Sequence, residues 1–263
     1  MLKTFTHQNL TLRYYDSGGS GPLLIFQHGL TGDHGQTTST FVAPDYRLIT
    51  LECRGHGQSE LGDSEALSIK TFACDLLALM DHLGLEKAAL AGISMGAAIA
   101  AHLASVHPER VTSLTLVRPA WHDKRSPLNM NVYSVLADYL ALYGADEGKK
   151  AFEQSETFQV ILHQSLDNAN SLLNTFAMPV EKTLHLLRRI ACCEPGFNAG
   201  AIKSAGIPVE VVGTTLDVIH PLNTAKAIAQ DLGLSQTFEV YPKSLNKEKH
   251  IAEITEIITR NIL

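Results

Sequence analysis

One serine, framed by a glycine two residues to either side, constrains this chain more than any other feature: Gly92-Ile93-Ser94-Met95-Gly96. Residues 87–93 form an apolar run of strand length, and residues 94–106 are alanine-rich with no breaker after Gly96 until His107-Pro108. The pattern predicts a buried strand turning sharply into a buried helix. A serine at such a junction sits in strained backbone between neighbours that carry no bulk. Its hydroxyl lies at a helix N-terminus, where backbone N–H groups favour developing negative charge. The stretch reads as a turn that presents a nucleophile, in preference to a serine that merely caps a helix.

A serine hydroxyl is a poor nucleophile at neutral pH, so an imidazole must take its proton and a carboxylate must orient that ring. Residues 207–213 are a β-branched strand that runs into Thr214-Thr215-Leu216-Asp217 and then Val218-Ile219-His220-Pro221. An acid just past a buried strand, with proline closing the turn, is placed to hold an imidazole, which makes Asp217 the candidate acid. Asp123, beyond the strand at 111–117, is the alternative. The strand at 237–241 is followed by a loop over 242–249, then His250 and a helix from about 251 to 262. His250 is the candidate base because it follows the last strand and opens the last helix. His220, three residues from Asp217, is its main competitor among the twelve histidines. His28 and His56 read as turn-stabilising residues, and Ser59 as a helix or turn cap.

Four motifs spread over nearly the whole chain resemble the α/β-hydrolase superfamily. They are the Ser94 turn, the Asp217 turn with His250, the strand 23–27 leading into His28-Gly29-Leu30-Thr31-Gly32, and Arg54-Gly55-His56-Gly57-Gln58-Ser59 after the strand at 47–51. Serine, acid, histidine is also that family's chain order. The resemblance implies a mostly parallel, doubly wound α/β sheet of about eight strands with a helical cap insertion. It also implies Ser94 as nucleophile, Asp217 as acid, His250 as base, and an oxyanion hole from the backbone N–H groups of Leu30 and Met95. Lys249 precedes His250 where relatives carry glycine, Ala97 stands where many have another glycine, and Glu52 stands where an aspartate is common.

Strand–helix alternation after two opening strands, near 3–7 and 11–15, predicts the parallel sheet. Far more residues separate the strand at 111–117 from the one at 207–213 than a single crossover needs, so the expected organisation is core 1–118, cap 119–200 and core 201–263. Within the cap, Ser126-Pro127 has the form of a helix start, with Leu128, Val132, Val135, Leu136, Tyr139 and Leu140 at helical spacing. Pro179 opens a second helix over 180–190, which Pro195-Gly196 closes. A lid of this kind would form the substrate pocket and exclude water. Trp121, Tyr133 and Arg118 are candidate substrate-binding residues, Arg118 either for a substrate carboxylate or as the partner of an acid at the base of the cap.

A net charge of −6 gives no basic footprint for nucleic acid or an anionic membrane. The four cysteines lack metal-ligand spacing, and neither a long apolar run nor a signal-peptide pattern is present. The expectation is a cytoplasmic, cofactor-free and metal-free enzyme, monomer or homodimer, acting on a small molecule. The leading activity is hydrolysis of a small carboxylic ester, thioester or lactone. A hydrolase-fold signal receptor with slow turnover and a C–C bond hydrolase using the same triad are the alternatives.

Overall fold

The computed structural model describes residues 1–262. In chain order the elements are β1 (Leu2–His7), β2 (Leu10–Asp16), β3 (Leu23–Gln27), α1 (His34–Thr40), β4 (Arg47–Glu52), α2 (Ile69–His82), β5 (Ala88–Ile93), α3 (Met95–Val106) and β6 (Val111–Val117). They continue with α4 (Asn131–Glu153), α5 (Glu156–Gln164), α6 (Leu166–Thr175), α7 (Val180–Ile190), α8 (Ala199–Ser204), β7 (Val209–Thr214), α9 (Leu222–Leu232), β8 (Phe238–Val240) and α10 (Lys247–Ile262).

The eight strands form one sheet in the order β1-β2-β4-β3-β5-β6-β7-β8, and only the pairs made by β2 are antiparallel. β1 and β2 are a hairpin whose two-residue loop, Gln8 and Asn9, takes φ of 51° and 62°, the left-handed pair that a twisted hairpin requires. From β3 the chain first steps outward to β4 and then crosses back to β5 on the other side. Such a reversal opens a crevice outside the carboxyl ends of β3 and β5. Leu30 and Ser94 follow those two ends.

Because side chains alternate along a strand, each strand feeds two cores. Leu24 and Phe26 of β3 pack on one face with Ile254, Ile257 and Ile258 of α10, while Ile25 joins the opposite core with Phe72 and Leu76 of α2 and Ile99 and Leu103 of α3. β5 is buried along its entire length, which suits a central parallel strand covered on both faces. Among the described residues no helix is long and apolar enough to cross a membrane.

The helices α4 to α7 lie between β6 and β7. On α7 the buried residues are Thr183, Leu186, Leu187 and Ile190, one stripe at helical spacing. α4 buries Val132, Tyr133, Leu136 and Leu140 and is broken at Gly144, whose φ is 74°. Two helix starts differ from expectation. Ser126 has a φ of 49° and gives its hydroxyl to the Cys192 carbonyl, so a 3-10 turn at Leu128–Met130 intervenes and α4 begins at Asn131. α10 begins at Lys247 because Asn246 Oδ1 accepts the Lys249 N–H at 2.9 Å. His250 therefore sits inside the first turn of α10 instead of preceding it.

Candidate active site

Ser94 stands between β5 and α3 with φ 57° and ψ −114°, a conformation that is strained for any side chain with a Cβ. Close packing enforces it. A Cβ on Gly92 would fall 2.0 Å from the Gly96 carbonyl oxygen, and one on Gly96 would fall 2.1 Å from that of Gln27. The first N–H groups of α3, Met95's among them, have no helical acceptor one turn back, so they face the same space as the serine. Gly29 approaches closely too: a Cβ there would lie 3.3 Å from Ser94 Cβ. Its N–H is held by Gln36 Oε1 at 2.6 Å, which pins the loop that carries Leu30.

A cavity of about 50 Å³ lies over Ser94, and its wall includes Leu30, Gln36, Arg118, Tyr133, Asp167, Asn168, His220 and Lys243. A second, of about 100 Å³, shares Gln36, Ile93, Arg118 and Lys243 with it and is completed by Ser39, Thr40, Lys247, His250 and Ile251. Each is the size of a few waters. The lining is chiefly polar. The apolar faces of the inserted helices, in contrast, are spent on packing.

Asp217 is buried and carries three groups. Arg118 Nε donates to Oδ2 at 2.6 Å, His220 Nδ1 lies 2.9 and 3.0 Å from the two oxygens, and the His220 N–H donates to Oδ1 at 3.0 Å. Burial alone would raise the carboxyl's pKa, but the charges and hydrogen bonds of Arg118 and His220 outweigh it and hold the group well below the usual carboxylate range. Arg118 also reaches Asp167 Oδ2 of α6 at 3.1 Å, and Lys243 meets Asp167 Oδ1 at 2.7 Å. Burial opposes the charge on Arg118, yet the two carboxylates leave it more firmly protonated than a free guanidinium. Arg118 thus pairs with acids while also lining both cavities. Asn168, next along α6, accepts the N–H groups of Val218 and Ile219 on Oδ1 at 2.8 and 3.1 Å. The inserted helices are thus bound to the loop that carries the acid.

The structure does not bring His250 to Asp217. Arg118 and His220 occupy the carboxylate, and His250 Nδ1 instead lies 2.7 Å from the Tyr241 carbonyl oxygen. Burial first, and then the positive charge of Arg118, push the His250 pKa down to about 4. Among the described residues Ser94 Oγ is hydrogen-bonded to neither imidazole. Tyr133 lines the cavity with Ser94. Trp121 does not: it is 2% exposed and packed in the main core, its indole N–H without a partner among the described residues.

His28 and His56 are turn elements, as their setting beside Arg54-Gly55 suggests. Both are buried with ring centroids 4.8 Å apart, and His28 Nε2 accepts the Cys53 N–H at 3.1 Å. Ser59 fastens the same turn, donating to the Glu52 carbonyl and accepting from the Arg13 N–H. Asp33, His34 and Glu52 bring potential metal-ligating atoms within 4.8 Å of one another. Those atoms are engaged internally: His34 Nδ1 lies 2.7 Å from Glu52 Oε1, Asp33 Oδ1 takes the Gly35 N–H and Glu52 Oε2 the Gln58 N–H. Asp167, Asn168, Gln36 and Lys243 were not legible as site residues. No local pattern separates them from other polar residues of helix ends and loops.

Comparison with known proteins places this geometry in a family. A putative non-heme bromoperoxidase, BpoC, of Mycobacterium tuberculosis is 26% identical over 231 residues, 83% of this chain and 84% of that protein. The 3-oxoadipate enol-lactonase 1 of Acinetobacter baylyi is 34% identical over 103 residues, only 38% of either protein. A solved structure from work on carboxylesterases of Nitrososphaera gargenis superposes with a TM-score of 0.76 at 17% identity, covering 98% of this chain and all of that one. The family profile described as the alpha/beta hydrolase fold matches residues 22–244. With the strand order and the Ser94 turn, that match means the chain belongs to the alpha/beta hydrolase family of enzymes.

Proposed function

We propose that the chain is a serine hydrolase that cleaves a small carboxylic ester, thioester or lactone through an acyl-enzyme on Ser94. The observation that carries this reading is the backbone of Ser94, held at φ 57° where the flanking glycines admit no Cβ. Strain of this kind persists only where the surroundings over-determine it. Here it serves to expose one hydroxyl at a helix N-terminus, within a cavity walled by inserted helices.

In this reading Ser94 Oγ attacks the substrate carbonyl carbon as an imidazole oriented by Asp217 takes its proton. The N–H groups of Leu30 and Met95 receive the negative charge that develops on the carbonyl oxygen, a contribution of roughly 100- to 1000-fold per donor. The protonated imidazole then passes its proton to the departing alkoxide or thiolate. Water repeats the sequence on the acyl-enzyme and releases the acid. The resemblance assigns the imidazole to His250; the hydrogen bonds of Asp217 favour His220. The polar lining supports a small substrate with hydrogen-bonding groups of its own.

An organophosphonate reagent tests the reading directly. Labelling should map by peptide sequencing to Ser94, and a panel of small esters, thioesters and lactones should identify a substrate turned over by the wild type and not by Ser94→Ala. Stoichiometric labelling at another residue would remove the proposal.

A further inference from the structure

The second cavity has a wall of one sign. Arg118 and Lys243 line both cavities, and Lys247, in the first turn of α10, lines the second. Asp167 is the one carboxylate in either wall; it lies in the first cavity and is held by Arg118 at 3.1 Å and by Lys243 at 2.7 Å. Asp217 takes the Arg118 Nε. Three cations thus meet two carboxylates, a positive surplus within a chain of net charge −6. Burial, and then the charges of Arg118 and Lys243, bring His250 down to a pKa of about 4, so the imidazole in this wall is neutral at neutral pH. The same wall holds donors without acceptors. Gln36 Oε1 is committed to the Gly29 N–H at 2.6 Å, so Nε2 is the end of the amide left over, and it bonds to nothing among the described residues. Arg118 gives Nε to Asp217 and Nη2 to Asp167, while Nη1 makes no hydrogen bond among them. The hydroxyls of Ser39 and Thr40, in contrast, already donate to the Gln36 carbonyl at 3.0 and 2.8 Å. Spare donors and a positive surplus in one concave wall suit an anion. Gln36 fixes where that anion lies relative to the chemistry: a Cβ on Gly29 would fall 3.4 Å from Gln36 Oε1 and 3.3 Å from Ser94 Cβ, so the amide stands beside the serine where the two cavities adjoin.

Resting on the reading of Ser94 as the nucleophile, we infer that the substrate bears a carboxylate a few bonds from its scissile carbonyl, and that Gln36, Arg118, Lys243 and Lys247 hold this carboxylate in the second cavity while the carbonyl lies over Ser94. The cavity, about 100 Å³, has room for such a group and a water or two, and none for a long acyl chain. An alkyl group in its place would strip water from the guanidinium and the ammonium groups and offer no acceptor in return. The four residues divide the task. Gln36 and Arg118 are fixed by Gly29 and by the two aspartates, so their spare N–H groups are already oriented. Lys247 is exposed and contributes long-range attraction at the mouth.

The test pairs each charged ester with its uncharged amide in the full-length chain. Monomethyl glutarate carries the carboxylate on the acyl side and O-acetylglycolate on the alcohol side; each is compared with the compound in which that carboxyl is a primary amide. At least one acid should exceed its amide in kcat/KM by about tenfold or more, and the ratio should fall with added salt. Lys247→Gln should reduce the ratio a few-fold and Lys247→Glu by about tenfold; glutamate suits the first turn of a helix, so the fold is kept. Lys249→Gln removes a charge two residues away that lies over the Tyr241 ring, and it should leave the ratio as it is. Amides cleaved as fast as both acids overturn the proposal, and so does a ratio that Lys247→Glu does not change. A failure of Ser94 to take a phosphonate removes the hydrolase reading instead. Calorimetry with glutarate then still decides the anion site: binding that Lys247→Glu weakens supports it, and no binding to the wild type overturns it.

Discussion

The two cavities that meet at Arg118 share four wall residues yet differ in the groups they hold. On one side lie the strained serine and an imidazole whose Nδ1 faces Asp217, a carboxylate with both oxygens occupied. On the other lie an imidazole turned to a backbone carbonyl, the hydroxyls of Ser39 and Thr40, and the Lys247 ammonium, which meets no carboxylate among the described residues. The difference teaches that a buried carboxylate is a limited resource. Asp217 can hold one imidazole and one guanidinium, and whichever residues reach it from the nearer chain segments leave the others outside. His220 arrives from three residues away and Arg118 from the end of the adjacent strand β6, whereas His250 comes from a helix whose start is set by Asn246.

The comparison is broken most severely by removing the serine: Ser94→Ala should abolish phosphonate labelling and reduce turnover to background, and an alanine variant retaining most activity would make the first cavity no more catalytic than the second. Next in size is Asp217→Asn, which cannot hold the imidazole in the accepting tautomer and leaves Arg118 with one carboxylate. Loss of about 1000- to 10,000-fold in kcat is expected, with the protein still folded by circular dichroism.

Acid unfolding sharpens the contrast. His250 is held at about pKa 4, below its ordinary 6.5, so the unfolded chain binds its proton first. The stability it contributes is complete above pH 6.5 and is lost as pH falls from 6.5 to 4, up to about 3 kcal/mol at 1.36 kcal/mol per pH unit. The Asp217 pKa is lowered as well, so its contribution too is present at higher pH, above about pH 4, and lost below it. Urea titrations across pH should therefore show a decline that begins below pH 6.5, to which His250 adds with the buried His28 and His56, whose pKa values burial also lowers, and His250→Gln should make that decline shallower without removing it. A decline unchanged by His250→Gln would mean that His250 contributes nothing to it.

The smallest effect concerns the walls. Tyr133→Phe should shift relative rates among acyl groups by a few-fold, because its ring lines the first cavity. Trp121→Phe should leave those ratios alone and lower the unfolding midpoint instead, since its ring is core. Equal shifts in selectivity from both variants would show that the first cavity extends further than the structure describes.

Much of the fold could be read in the chain because its signals are local. The run at 23–27, the strand at 111–117 and the helix at 180–190 were legible at their observed bounds, since alternation or a stripe of apolar residues is a property of neighbouring positions. The Ser94 turn was legible for the same reason: two glycines at fixed offsets declare where no Cβ fits. The pairing of Arg118 with Asp167 was not, because forty-eight residues and a crossing of the inserted helices separate them. The start of α10 was misplaced because Asn246 in a polar loop gives the same signal whether or not its side chain caps.

What the sequence determined by itself, then, is the inventory: one serine in an obligatory turn, an acid after a buried strand and a histidine on each side of the last strand. Periodicity, glycine offsets and turn residues act over a few positions, and they suffice to specify elements and to place each candidate at an element's end. What only the tertiary structure decided is which candidates meet. Hydrogen-bonding capacity is finite and distances are global, so the partners of Asp217 were settled by the packing of β6, β7 and α6 around it, and by nothing that the residues near His250 could announce.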